Sequence, residues 1–223
     1  MSYYPILVDL KGKKVVVVGG GAVALRKIES LLECGASVNV ISRELIPELK
    51  GYLDEGKIEL LGREYREEDL EGAFLVITAT DDIMLNSKVS KFARDRGMLV
   101  NAVDQPSDCN FIVPSVIKRG DLVIAVSTSG RSPAMAKRIR EKLSSQFGSE
   151  YEGFLILMGK IRKEILTEGL SQEENSRVFH EIVDSSMLEA IGRKDWQEAA
   201  TILKRILKRD VSVNDVIDYT KAE

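Results

Sequence analysis

Val15 to Ala24 read V-V-V-V-G-G-G-A-V-A, four β-branched residues that break into three glycines and resume as a helix. A strand with valine at every position has no polar face, so it belongs in a parallel sheet covered on both sides. Gly19 supplies the tight turn, Gly21 lets backbone approach a pyrophosphate, and Ala24 takes the third small position for helix–strand packing. Ala22 and Val23 fall in the first helical turn, where free amides and the positive dipole end meet phosphate. Leu25, Ile28, Leu31 and Leu32 give the helix an apolar face. The unit is the corner of a dinucleotide-binding α/β fold.

Outward from this corner, short apolar runs alternate with helical patterns, as in βαβ units around a parallel sheet. Strands are expected at 15–18, 38–41, 58–61, 74–78 and 99–101, and helices at 22–34, 45–55 and 82–96. Gly35, Gly56 and Gly97 follow those helices, where a left-handed cap favours glycine. After Asn101 the scheme changes. Runs at 111–117 and 122–126 flank Lys118-Arg119-Gly120-Asp121, a hairpin signal. Ser132-Pro133 then opens a helix with a capping hydroxyl and a first-turn proline. Apolar spacings of three and four predict helices at 150–166, 173–184 and 194–208. The expected organisation is a Rossmann-type α/β domain over 1–103, a β-hairpin plus helix over 104–147, and a helical C-terminal domain over 148–223. A hairpin with exposed strand edges needs a cover, and a homodimer is the economical one.

Composition narrows the classes. With 44% hydrophobic and 30% charged residues the chain reads as an ordinary soluble globular protein, and a net charge of −3 gives no support for nucleic acid as the main partner. No apolar run reaches membrane-spanning length, and Met1 to Pro5 lack the features of a signal peptide, so a cytoplasmic protein is expected. Cys34 and Cys109 show neither metal-ligand spacing nor a disulfide framework and read as small buried or half-buried residues. His180 is the one histidine, and no metal site is expected from it. The charge is uneven: Arg131 to Lys142 carries five cations against one anion. It is either a solvated helix face or, coming after a small-residue loop, a place for an acidic ligand.

Several motifs occur in a fixed order. Tyr4-Pro5-Ile6-Leu7-Val8-Asp9-Leu10 is followed by Gly19-Gly20-Gly21-Ala22-Val23-Ala24-Leu25-Arg26-Lys27, Ala79-Thr80-Asp81-Asp82, Asn101-Ala102-Val103-Asp104, Asn110-Phe111-Ile112-Val113-Pro114-Ser115 and Ser127-Thr128-Ser129-Gly130-Arg131-Ser132-Pro133. In that order they resemble the dehydrogenase/ferrochelatase module of sirohaem synthases, also found as stand-alone precorrin-2 dehydrogenases. The likeness covers roughly the first 145 residues, with the helical third similar in character only. It implies an opening strand at 4–10 and NAD-dependent oxidation of precorrin-2, a macrocycle edged with carboxylate arms, to sirohydrochlorin. Some members of the family also insert ferrous iron.

The resemblance makes Asp104 the functional acid, at the carboxyl end of the fifth strand where such sheets bind ligands; the bland alternative is a turn aspartate that accepts loop amides ahead of Pro106. For the cofactor, Gly19, Gly21, Ala22 and Val23 would meet the pyrophosphate, and Thr78, Ala79, Thr80 and Asp81 would let ribose and nicotinamide pass. The alternative for that loop is a strand-to-helix turn capped by Asp81. The second strand ends in Ser42-Arg43-Glu44 instead of the acid usual in NAD sites: Arg43 suits the 2′-phosphate of NADP, Ser42 or Glu44 the hydroxyls of NAD. Members of the resembling family often lack the acid and still use NAD, so NAD is the expected cofactor. Ser127, Thr128, Ser129 and Gly130 form a donor loop, with Arg131, Lys137 and Arg138 as candidates for substrate carboxylates. Two rival readings keep the fold and change the role: a bifunctional enzyme that also chelates iron, and a nucleotide-sensing regulatory subunit.

Overall fold

The computed structural model describes residues 3–169 and 171–222, and they fall into two compact units that divide between Val113 and Pro114. In the first, strands β1 (Lys14–Val18), β2 (Ser37–Ile41), β3 (Ile58–Gly62), β4 (Leu75–Thr78) and β5 (Leu99–Ala102) form a parallel sheet of order β3-β2-β1-β4-β5. The valine run explains why β1 is central. Val15 and Val17 face one side with helices α1 (Ala22–Glu33) and α2 (Pro47–Asp54), through Ala24, Ile28, Leu31 and Leu49. Val16 and Val18 face the other with α3 (Ile83–Asp95), through Val89 and Ala93. Val15, Val16 and Val17 are each 0% exposed; burying one such side chain contributes about 1.5–3 kcal/mol. Chain order reverses between β1 and β4, so the crevice at their carboxyl ends is where this architecture takes ligands.

The five strands and three helices lie within two residues of their expected bounds. Gly35, Gly56 and Gly97 have φ of +71°, +68° and +74°, the left-handed values their positions favour. Two expectations fail here. Residues 4–10 form no strand among the described residues, and Tyr4 and Leu7 are 86% and 81% exposed. The expected strand 111–117 begins later, at Ser115. Its first residues are held elsewhere: Asn110 Oδ1 accepts from Val100 N at 2.8 Å, and Asn101 Nδ2 donates to Phe111 O at 3.2 Å. These bonds also tie the stretch after residue 103 to β5, so it packs with the first unit.

In the second unit, β6 (Ser115–Arg119) and β7 (Leu122–Val126) pair antiparallel around a two-residue turn, Gly120-Asp121, shorter than the four residues expected. Gly120 has φ of +56°, as a type II′ turn requires at its first central residue. Helix α4 (Pro133–Ser144) packs on the hairpin. Its start is as expected, with the Ser132 hydroxyl accepting from Met135 N at 3.2 Å. Arg119 donates from Nε to Phe147 O at 2.9 Å and from Nη2 to Ser144 Oγ at 3.0 Å, placing a cation at the carboxyl end of α4.

Helices α5 (Glu150–Thr167), α6 (Gln172–Val183), α7 (Met187–Arg193), α8 (Trp196–Leu207) and α9 (Val213–Tyr219) enclose a second core around Leu157, Ile161, Met187 and Leu203. The short helices α7 and α9 were not expected, since seven residues hold too few turns to show a period. The helix expected from Lys194 starts at Trp196. Lys194 is left-handed, φ +57°, and Asp195 caps the helix by accepting from Glu198 N at 3.0 Å. Among the described residues, no helix is long and apolar enough to cross a membrane.

Candidate active site

Register brings the candidate residues of the first unit to one edge. Val18 pairs with Ile41 and with Thr78, and Thr78 pairs with Ala102. Residues 19, 42, 79 and 103 therefore leave the sheet side by side, with strands about 4.8 Å apart. Backbone bonds stitch the loops together: Gly19 N donates to Ile41 O, Ala79 N to Val18 O, and Val103 N to Thr78 O, all within 2.9 Å.

The glycines divide by what surrounds them. Gly19 has φ of +130°, and a β-carbon there would sit 2.3 Å from the Ala79 carbonyl oxygen; at Gly20 it would sit 2.2 Å from the Glu44 carbonyl oxygen. These two let neighbouring loops close on the turn. Gly21 faces open space, with nothing within 4 Å of an added β-carbon. It starts α1 with no side-chain cap and no acid in the first turn. The amides of Ala22 and Val23 thus begin a helix whose positive end is left for an outside anion. Open backbone and uncapped amides fit the pyrophosphate of a dinucleotide.

At the end of β2, the Ser42 hydroxyl donates to Glu44 O at 2.6 Å, while Arg43 reaches Glu64 at 3.1 Å in an exposed ion pair. At the end of β4, Thr78 is fully buried with its hydroxyl oxygen unpartnered. Thr80 Oγ1 donates to Asn86 Oδ1 at 2.7 Å, and Asn86 Nδ2 donates to Thr80 O at 2.9 Å. The cap of α3 is Asp82, which accepts from Leu85 N at 2.9 Å; the alternative of a cap at Asp81 fails, and Asp81 stays exposed.

Asp104 occupies a turn closed by Gln105 N donating to Ala102 O at 3.3 Å. Its φ is +62°, the value required at the third position of a type II turn, where glycine or asparagine is usual. It is the one non-glycine with a left-handed φ among the described residues of this unit. An L-residue there costs about 1–2 kcal/mol, less for aspartate. The side chain is exposed, and no described residue bonds its carboxylate. The alternative of an aspartate accepting loop amides therefore lacks its bonds.

Two features are not legible in the sequence. Cys109 is buried against this turn, and Lys27 on α1 is half-buried with no ion pair among the described residues. Burial, then the charge of Arg26, holds the Lys27 amine below its ordinary value. Cys109 stands only four to seven residues from its partners Gln105 and Ala102, and Lys27 closes the Gly19–Lys27 motif, but residue type alone shows neither the contact nor the burial.

In the second unit, Ser127 Oγ accepts from Ser129 N and Thr128 Oγ1 from Ser132 N, each at 3.0 Å. Neither hydroxyl donates to a described residue. Ser129 is left-handed, φ +53°. Arg131 and Arg138 are exposed without a carboxylate partner among the described residues, while Lys137 lies 4.0 Å from Glu141.

Residues 6–115 match a family described as putative NAD(P)-binding, and residues 119–146 match one described as the central part of a sirohaem biosynthesis protein. The first unit is therefore an NAD(P)-binding domain. The chain is 36% identical to a sirohaem synthase of Photorhabdus laumondii over 209 residues, 94% of this chain and 44% of that one. It is 46% identical to sirohaem synthase 1 of Serratia proteamaculans over 145 residues, 65% of this chain and 30% of that one. The chain thus spans less than half the length of these curated relatives. A solved structure titled "SirC, precorrin-2 dehydrogenase" superimposes with a TM-score of 0.78 at 31% identity, covering 93% of this chain and all of that one. A relative that similar, matched over its whole length, settles membership: the chain belongs to the precorrin-2 dehydrogenase family, whose module sirohaem synthases also carry.

Proposed function

We propose that this protein oxidises precorrin-2 to sirohydrochlorin with NAD as the acceptor. The observation that carries the reading is the Asp104 carboxylate, which bonds no described residue and is held in a left-handed turn on the edge that also presents the Gly19–Val23 corner. A bound nicotinamide supplies the hydride acceptor. The oxidation also releases a proton, and Asp104 is the base that takes it, or that steadies positive charge as it develops. Gly21 and the amides of Ala22 and Val23 hold the pyrophosphate, with Thr78 to Asp81 beside the nicotinamide half. Ser42 or Glu44 serves the ribose. Arg43 is engaged by Glu64, which supports NAD over NADP, although an exposed pair of this kind is worth only about 0–1 kcal/mol. The test is enzymatically generated precorrin-2 with the rise of reduced nicotinamide absorbance followed over time. NAD⁺ should give initial rates at least about tenfold above NADP⁺ at equal concentration, a difference of about 1.4 kcal/mol. No turnover with either overturns the assignment, and a preference for NADP⁺ overturns the cofactor.

The substrate's acidic arms call for cations and hydroxyl donors, which the Ser127–Gly130 loop with Arg131, Lys137 and Arg138 supplies. Replacing the three cations with glutamine should raise KM for precorrin-2 about tenfold or more and change kcat little. An unchanged KM returns them to a solvated face.

Two copies would cover the hairpin, whose outer face exposes Val116 and Val123 at 42% and 38%. Val123→Arg should convert a dimer to monomer in sedimentation equilibrium, and a wild-type monomer removes the pairing.

A further inference from the structure

We propose that Cys109 is a positioning residue that locks the Ala102–Gln105 turn so that the Asp104 carboxylate stands free at the sheet edge; the proposal rests on Asp104 acting in the oxidation. The sulfur reaches both ends of the turn. Cys109 Sγ accepts from Ala102 N at 3.2 Å and from Asn101 Nδ2 at 3.6 Å. It lies 3.3 Å from Ala102 O and 3.4 Å from Gln105 O, either of which takes its single proton. Between those anchor points sits Asp104, left-handed, its side chain bonded to no described residue. A strained residue persists only where its surroundings over-determine it, and the bonds to this thiol supply that restraint.

Chemistry supports the assignment. Cys109 is 7% exposed, and burial pushes its thiol up, so at neutral pH it stays protonated and able to donate. The far side of the loop is pinned separately. Ser87 donates to Asp108 Oδ2 at 2.5 Å, and Arg94 donates to Ser107 O at 2.8 Å. Loss of the thiol therefore frees the Asp104 turn without releasing the whole segment.

The experiment measures kcat, KM for both substrates and Tm for Cys109→Ala, Cys109→Ser and Cys109→Val, in the wild type and on an Asp104→Asn background. Valine is apolar and somewhat bulkier than cysteine, without its donor or acceptor, and it replaces alanine should that variant not fold. Alanine or valine should lower kcat about 10- to 100-fold, as expected for a catalytic group displaced by about 1 Å, with KM for NAD⁺ within about twofold. Serine, which keeps a donor and an acceptor on a shorter bond, should fall between. On the Asp104→Asn background the same changes should alter the residual rate less than about twofold, because the group they position is already gone. Equal fractional losses on both backgrounds mark a merely structural residue and overturn the proposal, as does a folded alanine or valine variant with wild-type kcat. Full turnover by Asp104→Asn alone overturns the parent reading, and the positioning role with it.

Discussion

Asp104→Asn leaves the protein folded and able to bind dinucleotide, and lowers turnover of precorrin-2 by at least about 10²-fold, the lower end of what a positioned general base contributes. Asparagine is chosen for the backbone. Like aspartate, it adopts φ of +62° more readily than other non-glycine residues, so the turn survives while the negative charge is lost. The carboxylate bonds no described residue, so stability should stay within about 0.5 kcal/mol of wild type. Thermal unfolding and dinucleotide titration check the two controls, and the absorbance assay reads the loss. Wild-type turnover in a folded variant removes Asp104 from the chemistry. Alanine is a poorer probe, since its strain in the left-handed region mixes a stability effect with a catalytic one.

The second large effect separates two glycines that a motif treats alike. Gly19→Ala puts a methyl group 2.3 Å from the Ala79 carbonyl oxygen at a φ of +130°, and neither backbone can move without breaking the bond from Ala79 N to Val18 O. Strain plus overpacking is expected to cost about 2–5 kcal/mol, lowering Tm by roughly 10 °C or more for a domain of this size. Gly21→Ala meets no atom within 4 Å, so its Tm should hold, while dinucleotide Kd rises about tenfold or more as the methyl enters the space left for pyrophosphate. Differential scanning calorimetry and titration with NAD⁺ distinguish the pair. If Gly21→Ala binds like wild type, the pyrophosphate does not pass this backbone. If Gly19→Ala is as stable as wild type, the tight approach to β4 is not needed.

The contrast shows where reading residues stops. Three glycines in a row announce a close turn, yet only the neighbours of each show which one accommodates protein and which one faces a ligand. The same limit applies to charge. Arg43 suits a phosphate by type and place, but Glu64, 21 positions away, pairs with it at the surface. Cys109 looked like a small buried residue, which it is, but its partners are the turn that bears Asp104.

The β–turn–α corner, the five strands and their intervening helices, the existence of the hairpin and the capped start of α4 are all legible in the residues. These follow from period, β-branching and turn chemistry, all properties of a few adjacent residues. Folding adds that Asp104 stands in a left-handed turn with a carboxylate that bonds no described residue, that residues 104–113 pack with the first unit, that 4–10 is not a strand, and that Lys27 is half-buried with no ion pair among the described residues. Each depends on a backbone conformation or a contact outside any periodic pattern, as with Cys109 four to seven residues from its partners in the Asp104 turn, and periodicity carries no information about either.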